Sequence, residues 1–286
     1  MKVISITPRG FCKGVVNAIK AVRDAVNNPN TKQPIYVLGY IVHNRYVVNE
    51  LTDLGVITLD DTKTDRLALL EPINKGTVIL SAHGTNPEVV KKLKERNLDY
   101  IDATCEDVET TFKLIKKYDN RGYYILYIGK KNHPEANAAL SLSQNICLVE
   151  HIYDIPKNLD KPIFVTNQTT FSTIEIKAII DQIINEYPNT VISEEICNAT
   201  RLRQTAIIKY NKEVDLCYIV GDPRSNNTRN LAYISENITK TKTKLIQSVS
   251  DINPDDLLDI SQVSVSSGAS TPGYLTKAVI EFLKNY

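Results

Sequence analysis

The 286-residue sequence has almost no excess charge, with 34 Lys and Arg against 33 Asp and Glu for a net of +1. That balance excludes a protein that gathers nucleic acid by a global basic field, so an anionic ligand must be held by a local cluster of donors. Long apolar runs are also missing. The stretch around Tyr123 to Ile128 falls far short of the roughly 18 residues that a membrane helix needs. Pro8 and Arg9 interrupt the apolar N-terminus before signal-peptide length, and the chain reads as cytoplasmic, with neither nucleic acid nor membrane as partner. Gly and Pro are few, 11 and 12, and 42% of residues are apolar, which excludes collagen-like, coiled-coil and disordered chains. Five cysteines, an odd number in a reducing compartment, argue against a disulfide framework. Those that matter should be ligands or nucleophiles.

Length alone, at about 150 residues per domain, suggests two units. An internal repeat divides the chain differently. Cys12, Cys105 and Cys197 each end a strand-like run (KVISITPRGFC, LDYIDATC, NTVISEEIC) and each precede a helix-like stretch, with spacings of 93 and 92 residues. Each unit then continues with a second strand and polar loop (IYVLGYIVHN, YYILYIGKKNHPE, DLCYIVGDPRSNN) and a third (TVILSAHGT, IFVTNQTT, VSVSSGAS). His43, His133 and Ser225 occupy equivalent positions in the first set of loops, and His83, Thr169 and Ser270 in the second. Strands alternating with helices predict parallel sheets, in which ligands bind beyond the carboxyl ends of the strands. The expected fold is α/β: three small parallel-sheet domains in a pseudo-threefold ring, spanning 13–105, 106–197, and 198–286 with 1–12. All the polar loops would face one central cavity.

A helix N-terminus stabilises negative charge and favours a thiolate, so the three repeat cysteines are placed to bind an iron-sulfur cluster, a zinc ion, or nothing. A cubane cluster normally takes four cysteines, so three would leave one iron open to bind and activate a substrate oxygen. Cys147 and Cys217 lie inside apolar runs and read as core. Of four histidines, three (His43, His83, His133) fall in the strand-end loops. With Ser225, Asn227 and Ser270 they make a ring of donors suited to a phosphate or diphosphate. Glu135, beside His133, is the one acid in that ring. A carboxylate near desolvated anions has a raised pKa and can deliver a proton. Thr169 and Thr170 can orient a substrate hydroxyl or cap the next helix.

The ordered set RGFCKGV, VHNRYVV, SAHG, DATC, HPE, TNQTT, ICNAT followed by RQ, GDPRSNN and SSGAS resembles the 4-hydroxy-3-methylbut-2-enyl diphosphate reductases, terminal enzymes of the non-mevalonate isoprenoid pathway. The resemblance runs from about Pro8 to about Pro272. It implies a central 4Fe-4S cluster held by Cys12, Cys105 and Cys197. It also implies a reductive dehydroxylation that gives isopentenyl and dimethylallyl diphosphate. Carried over by motif, Glu135 is the proton donor, and Thr169 holds the hydroxyl and the acid. His43, His83, Ser225, Asn226, Asn227 and Ser270 grip the diphosphate, and His133 serves the relay or the diphosphate site. A transient ferredoxin or flavodoxin would supply electrons. Three positions depart from the family pattern: Glu106 stands where Pro is usual, Ala138 where Gly is usual, and Asn226 where Ser is usual. Two other classes stay open from the residues: a 4Fe-4S dehydratase resembling quinolinate synthase, and a zinc-stabilised binding module using the same cysteines, whose zinc would need a fourth ligand.

Overall fold

A computed structural model describes residues 1–60 and 65–286. In chain order the first segment forms β1 (Lys2–Ser5), α1 (Lys13–Asn27), β2 (Ile35–Leu38), α2 (Arg45–Asp53), β3 (Ile57–Leu59), α3 (Arg66–Leu70), β4 (Thr77–Leu80), α4 (Pro87–Glu95) and β5 (Asp99–Asp102). Next come α5 (Glu106–Asp119), β6 (Tyr124–Ile128), α6 (Pro134–Leu140), β7 (Ile146–Val149), β8 (Ile163–Asn167), α7 (Thr173–Glu186) and β9 (Val191–Ile192). The last segment gives α8 (Asn198–Tyr210), β10 (Leu216–Val220), α9 (Asn226–Asn237), β11 (Lys242–Ile246), β12 (Gln262–Ser267) and α10 (Gly273–Asn285).

These strands make three four-stranded sheets, ordered β3-β2-β4-β5, β7-β6-β8-β9 and β11-β10-β12-β1, with parallel pairing throughout. Each sheet therefore repeats one order: the second strand of the unit lies outside the first, then come the third and fourth. The expected α/β class with three small parallel sheets is what the chain forms. The earliest strand supplies the fourth position of the last sheet, where Lys2 to Ser5 pair with Gln262 to Val265.

The central strands β2, β6 and β10 are largely apolar on both faces, as fits parallel strands covered by helices, whereas β12 buries Val263 and Val265 on one face and Ser264 and Ser266 on the other. Alternation then sorts their side chains. Leu216, Tyr218 and Val220 of β10 enter one core with Val279 and Leu283 of α10, while Cys217 and Ile219 enter another with Ile207 of α8 and Leu231 of α9. In β6, Leu126 and Ile128 pack with Ile176 and Ile179 of α7, whereas Ile125 and Tyr127 pack with Ile115, Ala136 and Ala139. The edge strand β11 carries Lys242 and Lys244, both paired with Asp256, the kind of charge that discourages further strand addition.

By packing, the chain forms two compact units: residues 1–15, 43–47 and 197–286, and residues 16–42 and 48–196. The first holds the β11-β10-β12-β1 sheet and the second holds the other two. No helix among the described residues is long and apolar enough to cross a membrane.

The strand-like runs expected to end at the cysteines stop earlier. β1 ends at Ser5, β5 at Asp102 and β9 at Ile192, so each cysteine follows an irregular connector and stands directly before a helix. In the first connector Pro8 has no N–H to offer a ladder, and Gly10 takes a left-handed φ of 78°.

Candidate active site

In every sheet the strand order reverses between the first and third strands of the unit, and the loops after β2 and β4, after β6 and β8, and after β10 and β12 leave the sheet at these carboxyl ends. Ligands of open α/β sheets bind at such switch points. His43 and His83 occupy the first pair of loops, His133 and Thr169 the second, and Ser225 and Ser270 the third. Helix starts supply N–H donors at the same ends. Asn44 Oδ1 accepts from the N–H groups of Tyr46 and Val47 at the start of α2, His133 caps α6, and Ser225 caps α9.

Within the larger unit, Glu135 is 1% exposed and sits in the first turn of α6. Its Oε1 accepts from the Thr169 N–H at 2.7 Å and the Tyr127 hydroxyl at 3.3 Å, and its Oε2 accepts from Thr169 Oγ1 at 3.0 Å. Burial pushes the carboxyl up to about 7, against the hydrogen bonds from Thr169 and Tyr127, with Asp107 raising it a little further. The group can therefore hold a proton near neutral pH and release it. The Glu135 N–H donates to His133 Nδ1 at 3.2 Å, so in this arrangement that nitrogen carries no proton, and His133 stands as a neutral imidazole with its proton on Nε2. The His83 ring meets it edge-on, with centroids 5.3 Å apart.

The His83 loop is braced from below by Arg66. That side chain donates to Gly84 O at 2.8 Å, Ser81 Oγ at 2.9 Å and Thr85 Oγ1 at 3.3 Å. Burial pulls its guanidinium down to about 10, and it remains charged at neutral pH. Gly84 is required here: its φ is 79°, and a Cβ would lie 2.5 Å from the Phe112 ring. Cys105 follows β5 and precedes α5, and its N–H donates to Ala82 O at 3.0 Å.

The smaller unit holds the remaining candidates. The Cys12 N–H donates to Ala269 O at 3.0 Å, the same tether by repeat position as Cys105 to Ala82. Cys197 directly precedes α8 with φ −63° and ψ 147°, close to the −65° and 139° of Cys105 before α5. Its thiol donates to Thr200 Oγ1 at 3.1 Å. Asn227 links α8 to the loop after β12, donating from Nδ2 to Thr200 Oγ1 at 3.2 Å and accepting at Oδ1 from the Ala269 N–H at 3.0 Å. Ser270 Oγ donates to the carbonyl of His43 at 2.9 Å. Ser225 and Asn226 are buried at the start of α9. Gly268 lets this loop close, because a Cβ there would meet Thr228 Oγ1 at 2.1 Å. No disulfide joins any of the five cysteines; Cys217 is fully buried in a core and Cys147 packs beside one, where burial pushes its thiol up to about 11.

The departures from the family pattern fit their local structure. Glu106 is the first residue of α5, where a negative charge faces the positive helix end. Ala138 lies in the helical interior of α6, so it needs no glycine backbone. Sequence reasoning missed Tyr127, Thr200, Arg66 and Arg203. Thr200 and Arg203 carry one signal, their place in ICNAT and the RQ that follows, whereas Tyr127 lies within an apolar run and Arg66 in no motif.

Polar loops at the carboxyl ends of three parallel sheets, three cysteines at one repeat position ahead of helices, and a buried carboxyl pushed up to about 7 are features of an α/β enzyme. A family model described as LytB protein matches residues 3–284. The 4-hydroxy-3-methylbut-2-enyl diphosphate reductase of Symbiobacterium thermophilum is 47% identical over 290 residues, covering all of this chain and 98% of that protein. The reductase of Geobacillus kaustophilus is 45% identical over 289 residues, covering 100% and 91%. Among solved structures, the E-1-hydroxy-2-methyl-but-2-enyl-4-diphosphate reductase from Plasmodium falciparum superposes with a TM-score of 0.92 at 32% identity, covering 99% of this chain and 88% of that one. The chain belongs to the LytB family, and it is an oxidoreductase.

Proposed function

We propose that the enzyme reduces 4-hydroxy-3-methylbut-2-enyl diphosphate, removing the allylic hydroxyl as water with two electrons and two protons and leaving isopentenyl and dimethylallyl diphosphate. The observation that carries this reading is Glu135, a buried carboxyl fixed by three donors and shifted to about 7. A leaving hydroxyl needs a proton at the moment its bond breaks, and Glu135 is poised to give one. Thr169 Oγ1, already bonded to Glu135, orients the hydroxyl beside that proton. His43, His83, Ser225, Asn226, Asn227 and Ser270 hold the diphosphate, and neutral His133 offers its Nε2 proton to the same region.

Cys12, Cys105 and Cys197 would hold a 4Fe-4S cluster. The donor set fits: three thiols outside any disulfide stand directly before helices, and a buried guanidinium, Arg203, lies close enough to Cys12 and Cys197 for thiolate charge there to act on it. When bound, such a cluster supplies electrons and an iron open to substrate oxygen. The same reading takes 13–105, 106–197, and 198–286 with 1–12 as three repeat domains ringed about the cluster, supported by their common strand order. It places the enzyme in the cytoplasm with a ferredoxin or flavodoxin as electron donor.

The test is anaerobic purification with iron and sulfide counts, followed by reoxidation of a reduced dye on adding the hydroxymethylbutenyl diphosphate. Substrate-dependent dye oxidation by cluster-loaded protein is expected. Colourless protein holding one zinc would overturn the cluster, and a full cluster without substrate-dependent electron uptake would overturn the reaction.

A further inference from the structure

Arg203, on α8, is 3% exposed. Its side chain folds back along its own helix, and its fork joins two turns: Nη2 donates to Gly10 O at 2.7 Å and Nη1 to Ala199 O at 3.0 Å. Gly10 stands two residues before Cys12 and Ala199 two residues after Cys197. One side chain thus ties together the backbones that carry both cysteines. Gly10 is held from the other side as well, its N–H donating to Ser267 Oγ at 3.0 Å.

The charge of Arg203 has no ordinary partner. Among the described residues no carboxylate forms an ion pair with it, and its Nε is buried without a hydrogen bond. Two carbonyl dipoles do not balance a full charge, and the positive end of α8, toward which the side chain points, opposes it. A guanidinium withdrawn from water without an anion is strongly unfavourable, so its site must be completed by negative charge. The nearby groups able to supply that charge, as thiolates, are Cys12 and Cys197.

We propose that Arg203 is the fixed countercharge of the centre held by Cys12 and Cys197, a positioning residue that keeps their two turns in register and raises the reduction potential of the group they bind. This rests on the reading of those cysteines as cluster ligands. Reduction adds negative charge to the centre, and a buried cation stabilises the reduced form more than the oxidised one. Lysine at this position would keep the charge and lose the fork.

The experiment compares wild type, R203K and R203Q after anaerobic reconstitution. Iron and sulfide are counted, the midpoint potential is read by electron paramagnetic resonance in a dye-mediated titration, and circular dichroism of the cluster-free proteins reports folding. The expected result is an R203Q potential more negative than wild type, with R203K close to wild type. Loss of cluster in folded R203Q with retention in R203K supports the same assignment. It is overturned by equal potentials in wild type and R203Q, by equal loss of cluster in both variants, or by an R203Q chain that does not fold. Wild type that binds no cluster overturns the cluster reading itself, and that is known before any variant is compared.

Discussion

Glu135→Gln isolates the cost of the buried carboxyl, because an amide can take over its contacts. Gln Oε1 can still accept from the Thr169 N–H and the Tyr127 hydroxyl, and Gln Nε2 can donate to Thr169 Oγ1, whose hydroxyl turns from donor to acceptor. What disappears is the titration. The carboxyl moves from an ordinary 4.5 to about 7, chiefly by desolvation. At about 1.4 kcal/mol per unit, this makes the folded state bind the proton more tightly than the unfolded chain by about 3 kcal/mol. Because the folded value is the raised one, this stability is fully present below 4.5 and is lost as pH rises toward and through about 7. The variant should therefore match wild type within about 1 kcal/mol at about pH 5 and exceed it by about 3 kcal/mol above about pH 8. Urea unfolding of the cluster-free proteins, followed by circular dichroism across that range, measures the difference. A difference that stays flat with pH would refute a carboxyl whose charge is penalised by burial.

If Glu135 gives the proton, turnover falls as pH rises through about 7, and Glu135→Gln retains substrate binding while losing on the order of 10² to 10⁴ in rate, as steady-state kinetics and calorimetric titration would report. Tyr127→Phe removes a donor that favours the ionised carboxyl, so the falling limb of the pH–rate profile moves to higher pH, at a stability cost of about 1 kcal/mol. Gly84→Ala meets both a left-handed backbone and the Phe112 ring, and should lower stability in urea by about 1 to 3 kcal/mol while weakening diphosphate binding through the His83 loop. Serine at Cys12, Cys105 or Cys197 should sharply lower the iron bound per chain, whereas Cys147→Ser should leave the iron count unchanged.

The positions of the candidate site were legible wherever a period carried them. The cysteines recur at almost constant spacing, and the polar loops follow each apolar strand at comparable distances, so the switch-point residues could be found without knowing any contact. Strand ends were less legible: Pro8 and Gly10 show why β1 stops before Cys12, yet nothing local marks β9 as ending at Ile192, five residues before Cys197. Tyr127 shows the same limit within a strand. Its apolar neighbours place it in the core, as they should, and only the position of α6 brings its hydroxyl to Glu135.

The sequence by itself determined the parallel α/β class, the three-part repeat, the cysteines ahead of helices and the polar loops at the strand ends, because periodicity and turn chemistry are local. Tertiary structure decided what those residues can do. The proton on Glu135 depends on burial and on Thr169, 34 residues away. The buried charge of Arg203 depends on Gly10, 193 residues away. Desolvation and hydrogen bonds between distant segments set both, and neither leaves a mark in the spacing of residues along the chain.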